Sequence, residues 1–207
     1  MEKLNYGILA SISWNSRKWA GSATDEDLKN SNYGWVKKNH RMMEDLNFGY
    51  DQYPSESDGT FIAYTPMFNR MPSLTESKYV EIIFFRSLNY HSNENLVVGL
   101  YAFPTISNVV RKADNTLYKS YVDGGISGNV RSKKEDIVLF NNPVIISESI
   151  AKNYQFLPEG KKLGQQGFNY LHYENVMRIL DRATNLNQFD SKLKNIKFRI
   201  LKEITVH

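Results

Sequence analysis

The 207-residue sequence predicts an α+β fold, with a mostly β core of five to seven strands and helices packed at its edges. Three observations carry that expectation. Runs rich in β-branched and aromatic residues at 59–65, 79–87 and 95–103 are bounded by turn formers and prolines. Residues 168–184 place Leu171, Val176, Ile179, Leu180 and Ala183 near one helical face. No internal repeat, low-complexity tract or interdomain linker breaks the chain, so residues 1–207 read as one domain.

The elements follow in order. Residues 4–14 (LNYGILASISW) are apolar enough for a buried first strand. A polar turn at 15–21 carries a tryptophan at each edge. Thr24 precedes Asp25-Glu26-Asp27, so it predicts an N-cap with acids in the first turn, and the helix should stop near 30–32. Tyr33-Gly34-Trp35 reads as a loop or short strand, 42–48 as one helical turn, and 51–59 as a loop holding Pro54. Residues 79–87 (YVEIIFFRS) give the strongest strand signal, and 88–94, all turn formers, close a hairpin of moderate length. Short strands at 136–140 and 144–147 are separated by Asn141-Asn142-Pro143. A short helix is expected at 149–156, and 187–193 extends the 168–184 helix or forms another. Ile196, Phe198 and Ile200 alternate with Lys197 and Arg199, as in a final strand.

Composition narrows the function. The absence of cysteine excludes a disulfide framework, a zinc knuckle and a thiolate nucleophile. No apolar run approaches the roughly 18 residues of a membrane span, and the first residues lack a signal pattern, so a cytoplasmic location is expected. The formal charge is +4, unevenly placed: residues 1–103 hold 10 basic and 12 acidic side chains, residues 104–207 hold 16 and 10. Much of the excess lies near 104–135, with Arg111, Lys112, Lys119, Arg131, Lys133 and Lys134 around a Gly-, Asn- and Ser-rich stretch. That stretch reads as an inserted basic loop and suits a polyanionic partner.

Signatures of catalysis are missing. The four histidines are far apart, so no metal site is expected, and neither a P-loop nor a Gly-x-Gly-x-x-Gly or Gly-x-Ser-x-Gly motif occurs. Glu159-Gly160-Lys161 matches the Glu-x-Lys of metal-dependent nucleases only superficially, in a turn after Pro158. The expectation is a binding module without cofactor.

Aromatic residues make up 13% of the chain, and several stand where local sequence cannot bury them. Trp14 and Trp19 flank Asn15-Ser16-Arg17-Lys18, Trp35 follows Tyr33-Gly34, Tyr64 ends a strand, and Tyr90 lies in a polar hairpin loop. Such rings either pack under another element or line a pocket. An aromatic pocket with amides or hydroxyls suits a nucleobase, since rings stack on its faces and polar groups read its edge.

The order YGILASISW, acidic-capped helix, YGW, GTFIAYTP, EIIFFRSLN, VVGLYAFP resembles the PUA-like superfamily, and within it the EVE and YTH domains. LGQQGFNYL and the later RILDRA resemble the end of EVE-like modules at the N-terminus of McrB-type proteins, the GTP-driven subunits of modification-dependent restriction systems. The resemblance implies a mixed, β-barrel-like core and a reader of modified double-stranded DNA that flips a base, methylated in the family's manner, into an aromatic cage. Motor and nuclease activities would then belong to an AAA+ GTPase and a nuclease on other domains or subunits. By matching place, Trp35, Trp14, Trp19, Tyr64 and Phe85 are the cage candidates, and Asn15, Ser16 and Asn89 the base-edge readers. Arg17, Lys18, Lys37, Lys38, Arg111, Lys112, Arg131, Lys133 and Lys134 are the phosphate contacts. The competing expectations are an RNA-binding module of the same fold, a nuclease subunit, and a protein-interaction domain.

Overall fold

The computed structural model describes residues 6–50, 58–65, 68, 80–112, 127–163 and 167–204. The predicted α+β class holds. Its strands are β1 (Gly7–Ser11), β2 (Thr60–Ala63), β3 (Ile82–Asn89), β4 (Glu94–Ala102), β5 (Thr105–Lys112), β6 (Ser127–Lys133), β7 (Ile137–Ile145) and β8 (Phe168–Leu171). Its helices are α1 (Asp25–Asn30), α2 (Gly34–Asn39), α3 (Glu148–Asn153), α4 (Tyr173–Leu186) and α5 (Ser191–Ile204). Among the described residues the strands form two sheets rather than a closed barrel: a five-stranded sheet ordered β7-β4-β3-β1-β8 and a three-stranded sheet ordered β2-β6-β5.

The five-stranded sheet is covered on both faces, which explains why β3 reads as an unbroken apolar run rather than an alternating one. Ile8, Ala10, Ile83 and Phe85 turn one way, into a core shared with Phe61 of β2 and Val130 of β6. Leu9, Ile82, Phe84 and Leu100 turn the other way, onto Val176, Ile179 and Leu180 of α4 and Leu193, Ile196 and Ile200 of α5. β1 runs parallel to β3, with Ser11 opposite Arg86, and antiparallel to β8. At Gly99 of β4 a Cβ would lie 2.5 Å from the Val138 carbonyl and 2.7 Å from the Phe48 ring. Only glycine lets that ring sit against the strand.

Several expectations are corrected. The 104–135 segment is not simply a loop. Its described parts are β5 and β6, which raise the strand count to eight; residues 113–126 lie outside the described residues, as do Pro54 and Pro66. Tyr33-Gly34-Trp35 is neither loop nor strand: Tyr33 caps α2, which begins at Gly34. Residues 42–48 make turns, not a helical turn of their own. The β3–β4 hairpin is tighter than expected, with only residues 90–93 between strands. The two short strands at 136–147 are one strand, β7, whose pairing with β4 shifts register across Asn141-Asn142-Pro143. β7 is an edge strand, where a proline removes no ladder hydrogen bond.

The 168–184 helix is split. Phe168–Leu171 pairs with β1 as β8, and the helix starts at Tyr173. The final strand does not exist: residues 191–204 are helical. Leu193, Ile196 and Ile200 are buried at helical spacing, while Phe198 is 54% exposed. The alternation at 196–200 is only apparent, because Leu193 joins Ile196 and Ile200 at a period of 3.6 and not of 2.

Candidate functional site

A cavity of about 580 Å³ opens at the C-terminal end of β1, where the β3–β4 hairpin runs on past it. Five segments build it, one of them only through Gly167 just before β8. The β1 exit contributes Ser11, Ser13 and Trp14, the α1–α2 connection contributes residues 30–33, β3 and its turn contribute Arg86, Ser87 and Tyr90, and β4 contributes Asn95. Three aromatic residues, Trp14, Tyr33 and Tyr90, therefore share one opening with hydroxyls, amides and a single charged side chain, Arg86.

The walls are held from behind. Asp27, the N3 residue of α1, closes the capping box with Thr24. Its carboxylate accepts from the backbone and hydroxyl of Ser16, from the Thr24 backbone and from the Tyr90 hydroxyl, at 2.8–3.1 Å. Burial opposes its ionisation, but the Thr24 and Ser16 donors prevail and hold its pKa below the usual value. Tyr90 is thus pinned to α1, and burial followed by the Asp27 hydrogen bond pushes its pKa up to about 12. On the other side, the backbone N–H groups of Ser13 and Met43 donate to the buried Glu44. Burial raises the Glu44 pKa against those donors. Burial, then the Glu44 charge, pushes Tyr33 up to about 12, with Arg86 and the Ser11 hydroxyl opposing. Trp14 Nε1 is buried and has no hydrogen-bond partner among the described residues.

The predicted cage residues divide. Trp14 lines the cavity. Trp19 is 2% exposed, its indole N–H donating to the Ser13 carbonyl, and it stacks edge-on against Trp14 at 5.6 Å. Trp19 supports a wall without being one. Lys18 and Trp19 both have positive φ, 58° and 53°, so this turn spends of order 1 kcal/mol per residue to drive the indole inward. Phe85 is wholly buried beside Phe48 and Tyr101 and is closed to any ligand. Trp35 is 48% exposed on α2, under the Arg41 guanidinium at 5.7 Å, and is not a wall of the cavity. Tyr64 is half-buried, its backbone clasped by Asn47.

The expected edge readers are engaged elsewhere. Asn15 is buried, donating to Asp45 Oδ1 and the Gly21 carbonyl and accepting from the Arg17 backbone. Ser16 bonds Asp27, and Asn89 Oδ1 accepts from the His91 backbone to close the hairpin turn. Each is spent on shaping the loops around the cavity. Arg17, Lys18, Lys37, Lys38 and Lys133 are exposed, Lys134 is half-buried, and Arg131 pairs with Asp58 at 3.2 Å. Arg111 and Lys112 lie on β5.

Sequence reasoning missed Ser11, Ser13, Arg86 and Asn95. Arg86 had a legible signal, a lone charge inside the apolar run IIFFRSLN. Tyr33 is not among the expected cage residues, yet it forms a wall that Trp35, two positions on, does not. The Glu159–Lys161 pair lies in an exposed turn beside a second, larger cavity under α3 and α4. Among the described residues no group of three or more His, Asp or Glu is placed to hold a metal ion, and no helix is long and apolar enough to cross a membrane. No family model, curated protein or solved structure matches this chain.

Proposed function

We propose that this chain is a recognition module for modified DNA that accepts one extruded base in the cavity between Trp14, Tyr33 and Tyr90. The observation that carries the reading is the convergence of three aromatic residues, serine hydroxyls and an arginine on one opening. Flat polar-edged ligands need that mixture: rings for the faces, donors and acceptors for the rim. The exposed cations Arg17, Lys18, Lys37 and Lys38 follow Trp14 and Tyr33 within a few residues, so they flank the walls in sequence and suit a phosphate backbone. The resemblance of the sequence to PUA-like, EVE/YTH-like domains supports the same reading. On this reading motor and nuclease work belong to an AAA+ GTPase and a nuclease partner, with this chain as the targeting part.

Binding of the chain to otherwise identical duplexes, with and without a methylated central base, tests the reading. The modified duplex should bind tighter, and Trp14→Ala should weaken it by about five- to 150-fold, the range expected for 1–3 kcal/mol of stacking. Equal binding of both duplexes, or an undiminished Trp14→Ala, would sink the proposal. Tighter binding of single-stranded RNA at the same salt would move the assignment to an RNA reader.

A further inference from the structure

We infer that Trp35 is the wedge that fills the opened duplex: while the extruded base enters the cavity, the Trp35 indole enters the gap that the base leaves behind. The inference rests on the base-reader reading above and adds to it the residue that holds the duplex open.

Trp35 does not line the cavity, but it is tethered to a residue that does. Tyr33, a cavity wall, is the N-cap of α2, and Trp35 is the second residue of that helix. Two peptide units separate them, so their Cα atoms lie within roughly 7.6 Å of each other. Val36 is buried and fixes the helix to the molecule, whereas Trp35 beside it keeps 48% of its surface exposed. At the far end His40 takes a left-handed φ of 49°, and the chain turns back so that the Arg41 guanidinium lies over the Trp35 ring at 5.7 Å. That contact holds one side of the indole in place. Of the exposed large rings among the described residues, Trp35, Tyr154, Phe189 and Phe198, only Trp35 lies on an element that begins at a cavity wall.

Extrusion of a base removes its stacking on both neighbours, and that loss opposes binding. Proteins that open a base step offset it by inserting an apolar side chain between the bases that remain. An indole is a flat, purine-sized plane, so it can stack on both sides of the gap. The surroundings of the ring favour a polyanion. Lys37, Lys38 and Arg41 are exposed, and none of them is in an ion pair among the described residues. A shallow pocket between α1 and α2 sets Lys29, Lys37 and His40 around a single carboxylate, Asp25. A ring ready to stack, cations ready for phosphates and a cavity one tether away together fit a duplex around an extruded base.

The test uses the whole chain and one oligonucleotide with a methylated central base, offered as a fully paired duplex and as a single strand. Only the duplex has a gap to be filled. Trp35→Ala should weaken binding of the duplex by about five- to 150-fold, the worth of one stacked base, and leave binding of the single strand unchanged. Trp35→Phe, which keeps a ring, should recover most of the loss, whereas Trp14→Ala, which strips a cavity wall, should weaken both forms. Trp35 is half exposed, so its replacement leaves the core intact, and thermal unfolding checks that each variant is folded. An undiminished duplex affinity in Trp35→Ala overturns the inference, and so does an equal loss on duplex and single strand. Either result leaves the base-reader reading standing when the parent chain binds the methylated duplex tighter than the unmodified one. A parent chain that binds those two duplexes alike marks failure of that reading, and of this inference with it.

Discussion

Asp27 shows how one side chain positions two walls that lie far apart in sequence. It ties Ser16, in the turn after Trp14, and Tyr90, at the hairpin tip, to the start of α1. Asp27→Asn keeps the shape but removes the charge that those donors satisfy, so it should cost about 1–3 kcal/mol at pH 7, read by denaturant unfolding. The pH dependence has a definite sign. The native pKa is lowered, so the unfolded chain binds the proton more readily. The stabilisation is therefore full above the ordinary aspartate range and is lost as pH falls through the native pKa. The gap between parent and variant should close on acidification; a gap that persists at the lowest pH would exclude the ionised contact. Glu44 has the opposite sign. Burial raises its pKa, so its contribution to stability is greatest below the ordinary glutamate range and declines as pH rises through the native value. Of these two residues only Asp27 had a local signal, since the third position after a Thr N-cap is where a capping box closes. Glu44 reaches Ser13 across 31 residues, and nothing in the neighbouring sequence announces that.

At the scale of elements, local chemistry was legible where the element supplies its own evidence. The N-cap at Thr24, the apolar run of β3 and the stop at residues 30–32 all appear as read. Short amphipathic segments were not, because five or six residues satisfy periods of 2 and 3.6 about equally well. The segment 196–200 is the clear case, and it yields a discriminating pair of substitutions. In α5, Ile196 is buried and Phe198 is more than half exposed. Ile196→Ala should cost about 2–5 kcal/mol, and Phe198→Ala less than about 1 kcal/mol, by chemical denaturation. Comparable losses at both positions would restore the strand. The same ambiguity hid α2, whose helical start moves Trp35 outward and leaves Tyr33 at the cavity.

At the scale of the molecule, one sheet buried on both faces organises everything else. Helices α4 and α5 pack on one side and the smaller sheet on the other, and the cavity forms where β1 ends while β3 and β4 continue. The exposed cations that follow its aromatic walls in sequence belong to this scale, because on the proposed reading a polyanion meets the summed field and not one residue. If Lys37 and Lys38 each meet a phosphate, replacing both by Gln should reduce the slope of log affinity against log salt by about two units. An unchanged slope would assign them to a solvated face. The sequence by itself determined the α+β class, the main strands of the large sheet, the α1 cap and the aromatic surplus, because each follows from spacing between near neighbours. It also directed attention to Trp14, a residue the cavity uses. Only the tertiary structure decided which rings are core and which are walls. Phe84 and Phe85 are adjacent and chemically identical, yet they enter opposite cores, and Arg86 beside them enters the cavity. The physical reason is that burial is a property of layers brought together from distant segments, here β1, the α1–α2 connection and the β3–β4 hairpin, and no short stretch of sequence contains the layer that will cover it.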